Sequence, residues 1–279
     1  MSEQDDVARH RAHMPEGTSV ILDARSLATA NRRLAEILRP GEILRSGMSI
    51  LDVGCGTGAI TRDIAEAVGP SGRVVGLDVN PGLVARARQS HGGVPGLSFE
   101  VADLFALPYR DEFDVVTAAR VLQWLADPLR ALRAMAGAAK PSGLVLVLDY
   151  DHERATWDPA PPESTRGFYA AFLRWRADAG MDNALADHLP ALFAAAGLAD
   201  VASTVQDEVS RRGDPDFAVR VGIWAEVAAT RGHQMVADGA ISEAERARAE
   251  AEYREWVSRD ARSQRLYLRA VEGSRPARR

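Results

Sequence analysis

The chain has 279 residues, of which 46% are hydrophobic, and its formal net charge is −5 at pH 7. This length allows one large domain or two small ones, and the negative charge excludes a broad basic surface for nucleic acid. The single cysteine, Cys55, excludes an intramolecular disulfide and is compatible with a reducing compartment. Residues 1–13 are charged and lack an apolar run, so we expect neither a signal peptide nor a membrane segment, and a cytoplasmic protein.

The first half of the chain alternates between helix and strand patterns. Apolar residues at helical spacing predict a helix over 24–38, which Pro40-Gly41 ends. Strands are then predicted, with helices between them, at 48–53, 73–78, 97–102, 113–117 and 143–150. This alternation predicts an α/β fold with a doubly wound, mostly parallel sheet and right-handed crossovers. In such a sheet the ligand crevice lies at the carboxyl ends of the strands.

Helical patterns dominate after residue 150. A proline-rich break at 156–162 is followed by predicted helices at 168–175, 185–198 and 215–239, and by one that opens with the capping box Ser242–Glu245. Strands at 201–209 and 265–271 complete a seven-stranded sheet. We interpret 151–190 and 210–262 as helical insertions that form a lid and substrate pocket over the carboxyl edge. The predicted divisions are a helical segment (1–47), a core (48–150), and the lid with the last two strands (151–279).

A glycine turn follows the first strand. The sequence Asp52-Val53-Gly54-Cys55-Gly56-Thr57-Gly58 places glycines at alternate positions. Glycine lets the backbone turn sharply and approach a ligand that side chains would block. Asp78 ends the second strand, at a distance typical of an acid that accepts ribose hydroxyls. The pattern indicates a site for a nucleoside cofactor.

Two cofactor classes fit this turn. Gly54-x-Gly56-x-x-Ala59 with Asp78 matches the looser dinucleotide fingerprint, which would make the protein an NAD(P)-dependent oxidoreductase. However, Asp52 lies two residues before the turn and would repel a pyrophosphate, whereas it would accept the cationic end of S-adenosylmethionine. A third acid, Asp103, closes the third strand, where it can accept a hydrogen bond from an adenine amino group. Three acids at three strand ends favour S-adenosylmethionine.

Residues 48–150 resemble the class I, Rossmann-type S-adenosylmethionine-dependent methyltransferases, small-molecule branch. The glycine motif, Gly76-Leu77-Asp78, Asp103-Leu104 with Leu107-Pro108-Tyr109, and Phe113-Asp114-Val115-Val116 occur in the family's order. The segment 121–128 resembles the stretch after strand four in that branch, with Trp124 where histidine is frequent. The resemblance implies S-adenosylmethionine as the cofactor, with a binding site made of Asp52, Gly54, Cys55, Gly56, Asp78, Val79, Asp103, Leu104 and Arg120.

Methyl transfer requires a nucleophile in line with the S–CH₃ bond, and alignment alone can supply about 7–11 kcal/mol. A base is needed only if the nucleophile arrives protonated. The candidate is His152, two residues past the predicted fifth strand and so at the crevice mouth, with an ordinary pKa near 6.5. The alternative is an exposed loop histidine beside Asp151 and Glu153. His188 is a weaker candidate on the 185–198 helix.

Missing motifs narrow the reaction. Thr117-Ala118-Ala119-Arg120 stands where amino-methylating enzymes of DNA carry Asn/Asp-Pro-Pro-Tyr, and no Cys/His cluster predicts a metal site. Trp175, Trp224 and Trp256 either fill the core of the lid helices or line an apolar cavity. We therefore expect methyl transfer to a small, partly aromatic or apolar metabolite, at O, N or C, by a monomer or homodimer. An oxidoreductase, and a catalytically silent S-adenosylmethionine-binding module acting through partners, remain as alternatives.

Overall fold

The computed structural model describes residues 3–13, 25–39 and 47–277. The strands within these ranges are β1 (Ser49–Val53), β2 (Arg73–Asp78), β3 (Leu97–Val101), β4 (Phe113–Ala119), β5 (Ala139–Asp158), β6 (Ala199–Val205), β7 (Glu208–Arg211) and β8 (Ser263–Ser274). They form one sheet in the order β3-β2-β1-β4-β5-β8-β6, and β7 also pairs with β8. Strands β1 to β5 are parallel to one another, whereas β8 is antiparallel to β5, β6 and β7.

The helices are α1 (Glu3–Ala12), α2 (Leu27–Ala30), α3 (Arg32–Ile37), α4 (Ala59–Val68), α5 (Pro81–His91), α6 (Pro128–Ala138), α7 (Glu163–Asp178), α8 (Leu185–Ala195), α9 (Phe217–Val221), α10 (Ile223–Ala229), α11 (Arg231–Ala237) and α12 (Glu243–Arg259). Local sequence sets several of their starts. Asn80 and Asp127 accept hydrogen bonds from the first turns of α5 and α6, each just before a proline at the first helical position. Residue 24 of the predicted 24–38 helix, and Pro40-Gly41, lie outside the described residues.

Apolar side chains cover both faces of the sheet. In β1, Ile50 packs into a cluster with α2 to α5, whereas Leu51 and Val53 pack into a second cluster with α6 and α8. Successive residues of a strand point to opposite faces, so a strand buried on both faces is apolar throughout. This arrangement confirms the predicted doubly wound, mostly parallel sheet.

The predicted count of seven strands is wrong, because residues 201–209 form two strands. The break falls at Gln206 and Asp207, which belong to neither strand. Gln206 Oε1 accepts from Arg33 N at 3.0 Å, and Asp207 Oδ2 accepts from Arg265 Nε at 2.5 Å. β8 is long enough to pair with β6 and β7 in turn.

The fifth strand also runs further than predicted. It continues to Asp158 rather than ending at Tyr150, so the predicted break at 156–162 begins inside a strand. The extension pairs with the start of β8, as far as Asp158 opposite Ser263, after an irregularity between Asp151 and Thr156. Hydrogen bonds to β8 therefore hold a segment whose prolines suggested a loop.

Helices α7 and α9 to α12 pack against one another around a separate aromatic cluster. We call these five helices the lid. The predicted helix over 215–239 is three short helices, because the chain turns at Gly222 and at Thr230. The capping box at Ser242–Glu245 is confirmed at the start of α12. Across the described residues, no helix is both long and apolar enough to cross a membrane.

Candidate active site

A cavity of about 510 Å³ lies at the carboxyl ends of the parallel strands. Residues that follow four neighbouring strands line one side of it: Gly54 after β1, Asp78 and Val79 after β2, Asp103 after β3 and Arg120 after β4. Lid residues, among them Trp224 and Arg231, line the other side, and so does helix α1. Ligands of open α/β sheets bind at this edge. The predicted position of the crevice is therefore confirmed.

The glycine turn requires glycine for two reasons. Gly54, Gly56 and Gly58 have φ angles of 72°, 56° and 80°, which residues with a side chain rarely adopt. In addition, a Cβ on Gly54 would overlap Val121, and one on Gly58 would lie 2.7 Å from the Phe99 ring. The turn therefore brings bare backbone to the cavity.

Asp78 holds this turn in place as well as facing the cavity. Its Oδ2 accepts a hydrogen bond from Gly56 N at 3.0 Å, and its Oδ1 accepts one from Asn80 N at 2.9 Å. Burial raises the pKa of Asp78, although these backbone donors oppose that shift. Val79 is a third backbone donor to this carboxylate. A carboxylate has four lone-pair positions, so one remains for a ribose hydroxyl.

Asp52 lies deeper than Asp78. Its carboxylate is buried and accepts from Thr61 Oγ1 at 2.6 Å. Burial raises the pKa of Asp52 to about 7, opposed by the Thr61 hydroxyl. Asp52 lines a small side cavity together with Arg25 and the glycine turn. Cys55 lines it too, and burial raises the pKa of its thiol well above the ordinary range, so it is no thiolate nucleophile.

Helix α1 reaches the end of the cavity that Asp103 lines. Asp103 Oδ1 accepts from Phe105 N at 2.9 Å, and its Oδ2 pairs with Arg9 Nη2 at 2.8 Å. Ala8 of α1 is buried, and Leu104 is buried beside Asp103. No sequence pattern predicted this wall, because α1 is strongly polar and its contact to Asp103 spans 94 positions.

Arg120 uses its side chain within the protein. Nε donates to the Tyr150 hydroxyl at 2.9 Å, Nη1 donates to the Ala30 carbonyl at 2.9 Å, and Nη2 pairs with Glu208. Its backbone takes a φ of 62° and lines the cavity. Arg120 therefore offers a ligand its backbone, while its guanidinium joins β4, β5 and β7.

The sequence suggested that His152 lies past the fifth strand, at the crevice mouth or in an exposed loop. The structure places it elsewhere. It lies within β5, at the irregularity between Asp151 and Thr156, and is only 8% exposed while lining the cavity. Tyr150, Phe172 and Trp224 surround its ring at centroid distances of 5.4, 5.9 and 6.3 Å. The loop expectation failed because β8 extends the strand beyond residue 150.

Hydrogen bonds define the protonation of His152. Gln123 Nε2 donates to the Arg120 carbonyl at 3.3 Å, which turns Gln123 Oε1 toward the histidine, 2.7 Å from Nε2. An amide oxygen only accepts, so Nε2 carries the proton and Nδ1 holds a lone pair. Burial and the charge of Arg176 lower the pKa of His152 well below 6.5. The ring is thus a neutral proton acceptor at neutral pH.

Some of the remaining residues singled out from the sequence line the cavity, and others do not. Trp224 lines the cavity, whereas Trp175 and Trp256 belong to the lid's aromatic cluster. His188 is exposed and bonds Asp182 at 2.6 Å, away from the cavity lining. Trp124 lines the cavity between two guanidinium groups, with Arg231 Cζ 4.1 Å and Arg176 Cζ 4.7 Å from its ring centroid. In the part of the chain that the structure describes, no group of three acids, histidines or cysteines could hold a metal ion.

Comparisons with known proteins agree with this geometry. A family model for the methyltransferase domain matches residues 44–177. The demethylmenaquinone methyltransferase of Lactococcus lactis is 36% identical over 123 residues, which cover 43% of this chain and 48% of that protein. The chain spans about half the length of the curated relatives it matches.

Two solved structures share the fold. The YcgJ protein of Bacillus subtilis is 19% identical with a TM-score of 0.57, covering 88% of this chain and 99% of that one. The [4+2]-cyclase SpnF is 22% identical with a TM-score of 0.52, covering 98% of this chain and 92% of that one. The glycine turn and the acids at or near the carboxyl ends of β1, β2 and β3 fit the adenosyl cofactor of the family. Residues 44–177 therefore form a methyltransferase domain of the class I, S-adenosylmethionine-dependent type.

Proposed function

We propose that this protein transfers a methyl group from S-adenosylmethionine to a small metabolite with an aromatic or apolar body. The observation that carries the proposal is that one cavity joins the glycine turn to the aromatic residues of the lid. The name of the Lactococcus lactis relative, a demethylmenaquinone methyltransferase, favours an aromatic acceptor of quinone type. When bound, S-adenosylmethionine supplies a methyl group on a sulfonium sulfur.

Each cofactor residue has a distinct role in this proposal. Asp78 accepts a ribose hydroxyl with the lone pair that the turn leaves free, and Asp103 lies where it can accept from the adenine amino group. Arg25 lines both cavities beside Asp52 and the glycine turn, and it has no hydrogen-bond partner among the described residues. Arg25 thus suits the methionine carboxylate, and Asp52 suits the ammonium group. Gly54, Cys55, Gly56, Val79, Leu104 and the Arg120 backbone complete the wall.

His152 is the proposed general base. Its Nδ1 lone pair has no partner among the described residues, and its Nε2–H is held by Gln123 Oε1 at 2.7 Å. It would accept a proton from an acceptor that arrives as O–H, N–H or an activated C–H. The core at 48–150 then holds the cofactor, while 1–47 and the lid within 151–279 exclude water from the reacting groups.

The test is a metabolite-extract screen with methyl-labelled S-adenosylmethionine, in which the labelled product is identified by mass. Asp78→Ala should lower affinity for S-adenosylhomocysteine about tenfold or more, because the charge-assisted bond to the ribose and the support of the turn are both lost. Asp178→Ala, an exposed acid on α7, is the matched control. Calorimetry should also show no NAD binding; tight NAD binding without S-adenosylmethionine binding would refute the proposal.

A second candidate is a protein that binds the cofactor without transferring its methyl group. The [4+2]-cyclase SpnF supports this second candidate, because it shares the fold and its name describes a cyclisation rather than a methyl transfer. The same screen separates the two functions. Cofactor binding by calorimetry, with no label transferred to any metabolite, would support the second candidate.

A further inference from the structure

Two buried arginines at the lid end of the cavity have no carboxylate partner among the described residues. Arg176 is fully buried and Arg231 is 6% exposed, and neither forms an ion pair with a residue that the structure describes. Other buried arginines are neutralised: Arg246 in the same lid pairs with Glu243 and Glu250, each at 2.7 Å, and Arg120 pairs with Glu208. A buried charge normally needs such a partner. The charge of Arg176 is partly compensated by the nearby acids Asp149 and Asp182. Arg231 therefore forms the uncompensated positive end of the cavity within the described residues.

Only Arg231 of this pair lines the cavity. Arg176 lies behind Trp124, and its donors are taken by Asn183 Oδ1 at 2.9 Å and by the carbonyl of Gln123 at 2.9 Å. Arg231 uses Nη1 alone, which donates to the Arg11 carbonyl and to Gln234 Oε1. Its Nε and Nη2 have no partner within the described ranges. Those two atoms form one edge of the guanidinium, whose spacing matches the two oxygens of a carboxylate.

The two ends of the cavity also differ in charge. Asp52, Asp78 and Asp103 stand at the cofactor end, where Arg25 already suits the methionine carboxylate. Arg231 stands against Trp124 at the lid end, beside the apolar side chains of Ile223 and Val227. Burial and the charge of Arg176 lower the pKa of Arg231 to about 9, so it stays charged at neutral pH.

We propose that the methyl acceptor carries an anionic group, a carboxylate, which binds the free edge of Arg231 while its aromatic or apolar body packs on the lid. This inference rests on the proposed function, because it assigns the lid end of the same cavity to the acceptor. An anion there would compensate the Arg231 charge. It would also fix the orientation of the acceptor toward His152.

The test is calorimetric titration of the S-adenosylhomocysteine complex with matched pairs: benzoate with benzamide, 4-hydroxybenzoate with 4-hydroxybenzamide, and 1-naphthoate with 1-naphthamide. We expect the acids to bind about tenfold or more tightly than the amides, since only the acids accept a charge-assisted pair. Arg231→Met should abolish that preference, and Arg231→Lys should retain part of it. Arg248→Met, an exposed arginine on α12, is the matched control. Phenyl phosphate and benzenesulfonate separate a carboxylate site from a general anion site.

Equal binding of acids and amides, or binding by neither class, would overturn the proposal. So would an acid preference that persists in folded Arg231→Met, or a loss of S-adenosylhomocysteine affinity of about tenfold in that variant, which would assign Arg231 to the cofactor. The extract screen gives an independent result. A labelled product that is neutral at pH 7 would leave methyl transfer standing and refute the anionic acceptor alone.

Discussion

Burial changes what a single side chain can do, and His152 is the clearest case. In water its ring would be half protonated near pH 6.5. In the protein, the surrounding aromatic rings and the charge of Arg176 disfavour the cationic form. Its pKa falls, so protonation of His152 should not limit a reaction between pH 6.5 and 8. This replaces the expectation from sequence of a base that titrates near neutrality.

The same shift predicts how stability depends on pH. Below pH 6.5 the unfolded chain binds a proton at His152 that the native protein does not, so this residue makes stability fall as pH decreases. His152→Gln should therefore flatten the free energy of unfolding between pH 6.5 and 5, by up to about 1.4 kcal/mol per pH unit. Urea unfolding at several pH values measures this.

His188 provides a control of opposite sign. Its bond to Asp182 raises its pKa, so its contribution is present below pH 6.5 and is lost as the pH rises through the raised pKa. His188→Gln should therefore lower the stability by a constant amount below pH 6.5, and it should remove the loss of stability that this residue causes as the pH rises above 6.5. If His152→Gln and wild type show the same pH dependence while both are folded, the lowered pKa of His152 is refuted.

Substitution of Gly56 tests whether the glycine turn binds the cofactor, and a second strained glycine variant controls for the effect of backbone strain alone. Gly56→Val should abolish cofactor binding, because a β-branched residue resists a φ of 56° and would place atoms beside the ligand. Gly213→Val is the matched control, since Gly213 has a φ of 107° with no atom near its absent Cβ. Both variants carry backbone strain, but only Gly56→Val should lose S-adenosylhomocysteine binding. Equal affinities in both would place the ligand elsewhere.

Among the elements, the lid and α1 enclose the cavity from outside the sheet. The lid has its own aromatic cluster, and α1 contacts it through Arg11, whose Cζ lies 4.9 Å from the Trp175 ring centroid and whose Nε pairs with Asp238 at 3.2 Å. Segments that open to admit a ligand are drawn from the less stable parts of a protein. These helices are therefore the elements expected to respond to ligands.

Hydrogen exchange tests that response. With S-adenosylhomocysteine and an acceptor from the extract screen, α1 and residues 151–190 and 210–262 should exchange more slowly than in the free protein, because closure excludes water from the site. Helix α6, none of whose residues line the cavity, should be unchanged. Equal exchange in both states across all three segments would mean that they are fixed walls.

Sequence patterns located some elements better than others. Asp52, Asp78 and Asp103 could be assigned to one edge because each follows an apolar strand and parallel strands end together. The course of residues 151–158 and of 201–211 could not, since both depend on pairing with β8, more than 50 residues away. The roles of Arg9 and Arg231 were missed for the same reason, as charged residues on polar helices look alike until tertiary contacts bury some of them.

At the scale of the whole molecule, one buried ion pair connects distant parts of the sheet. Glu208 of β7 pairs with Arg120, which follows β4, and lies 3.4 Å from the Tyr150 hydroxyl of β5. Glu208→Gln should lower the free energy of unfolding by about 3 kcal/mol, because it leaves the Arg120 guanidinium buried without a counter-charge. Urea unfolding measures this loss.

The matched control is Glu112→Gln, which removes an exposed ion pair with Arg73. Its cost should be below about 1 kcal/mol, since water screens exposed charges. A Glu208 variant no less stable than the Glu112 variant would mean that the Tyr150 and Ala30 oxygens alone satisfy Arg120.

The position of β8 has a consequence for any attempt to shorten the protein. This last strand lies inside the sheet, between β5 and β6, although it comes from the end of the chain. A fragment cut to residues 44–177, the part that matches the family model, would expose the whole β8-facing edge of β5. Unpaired strand edges of that length promote aggregation. The part of the chain that identifies the family is therefore not a unit that can be excised, and a minimal version must keep residues 263–274.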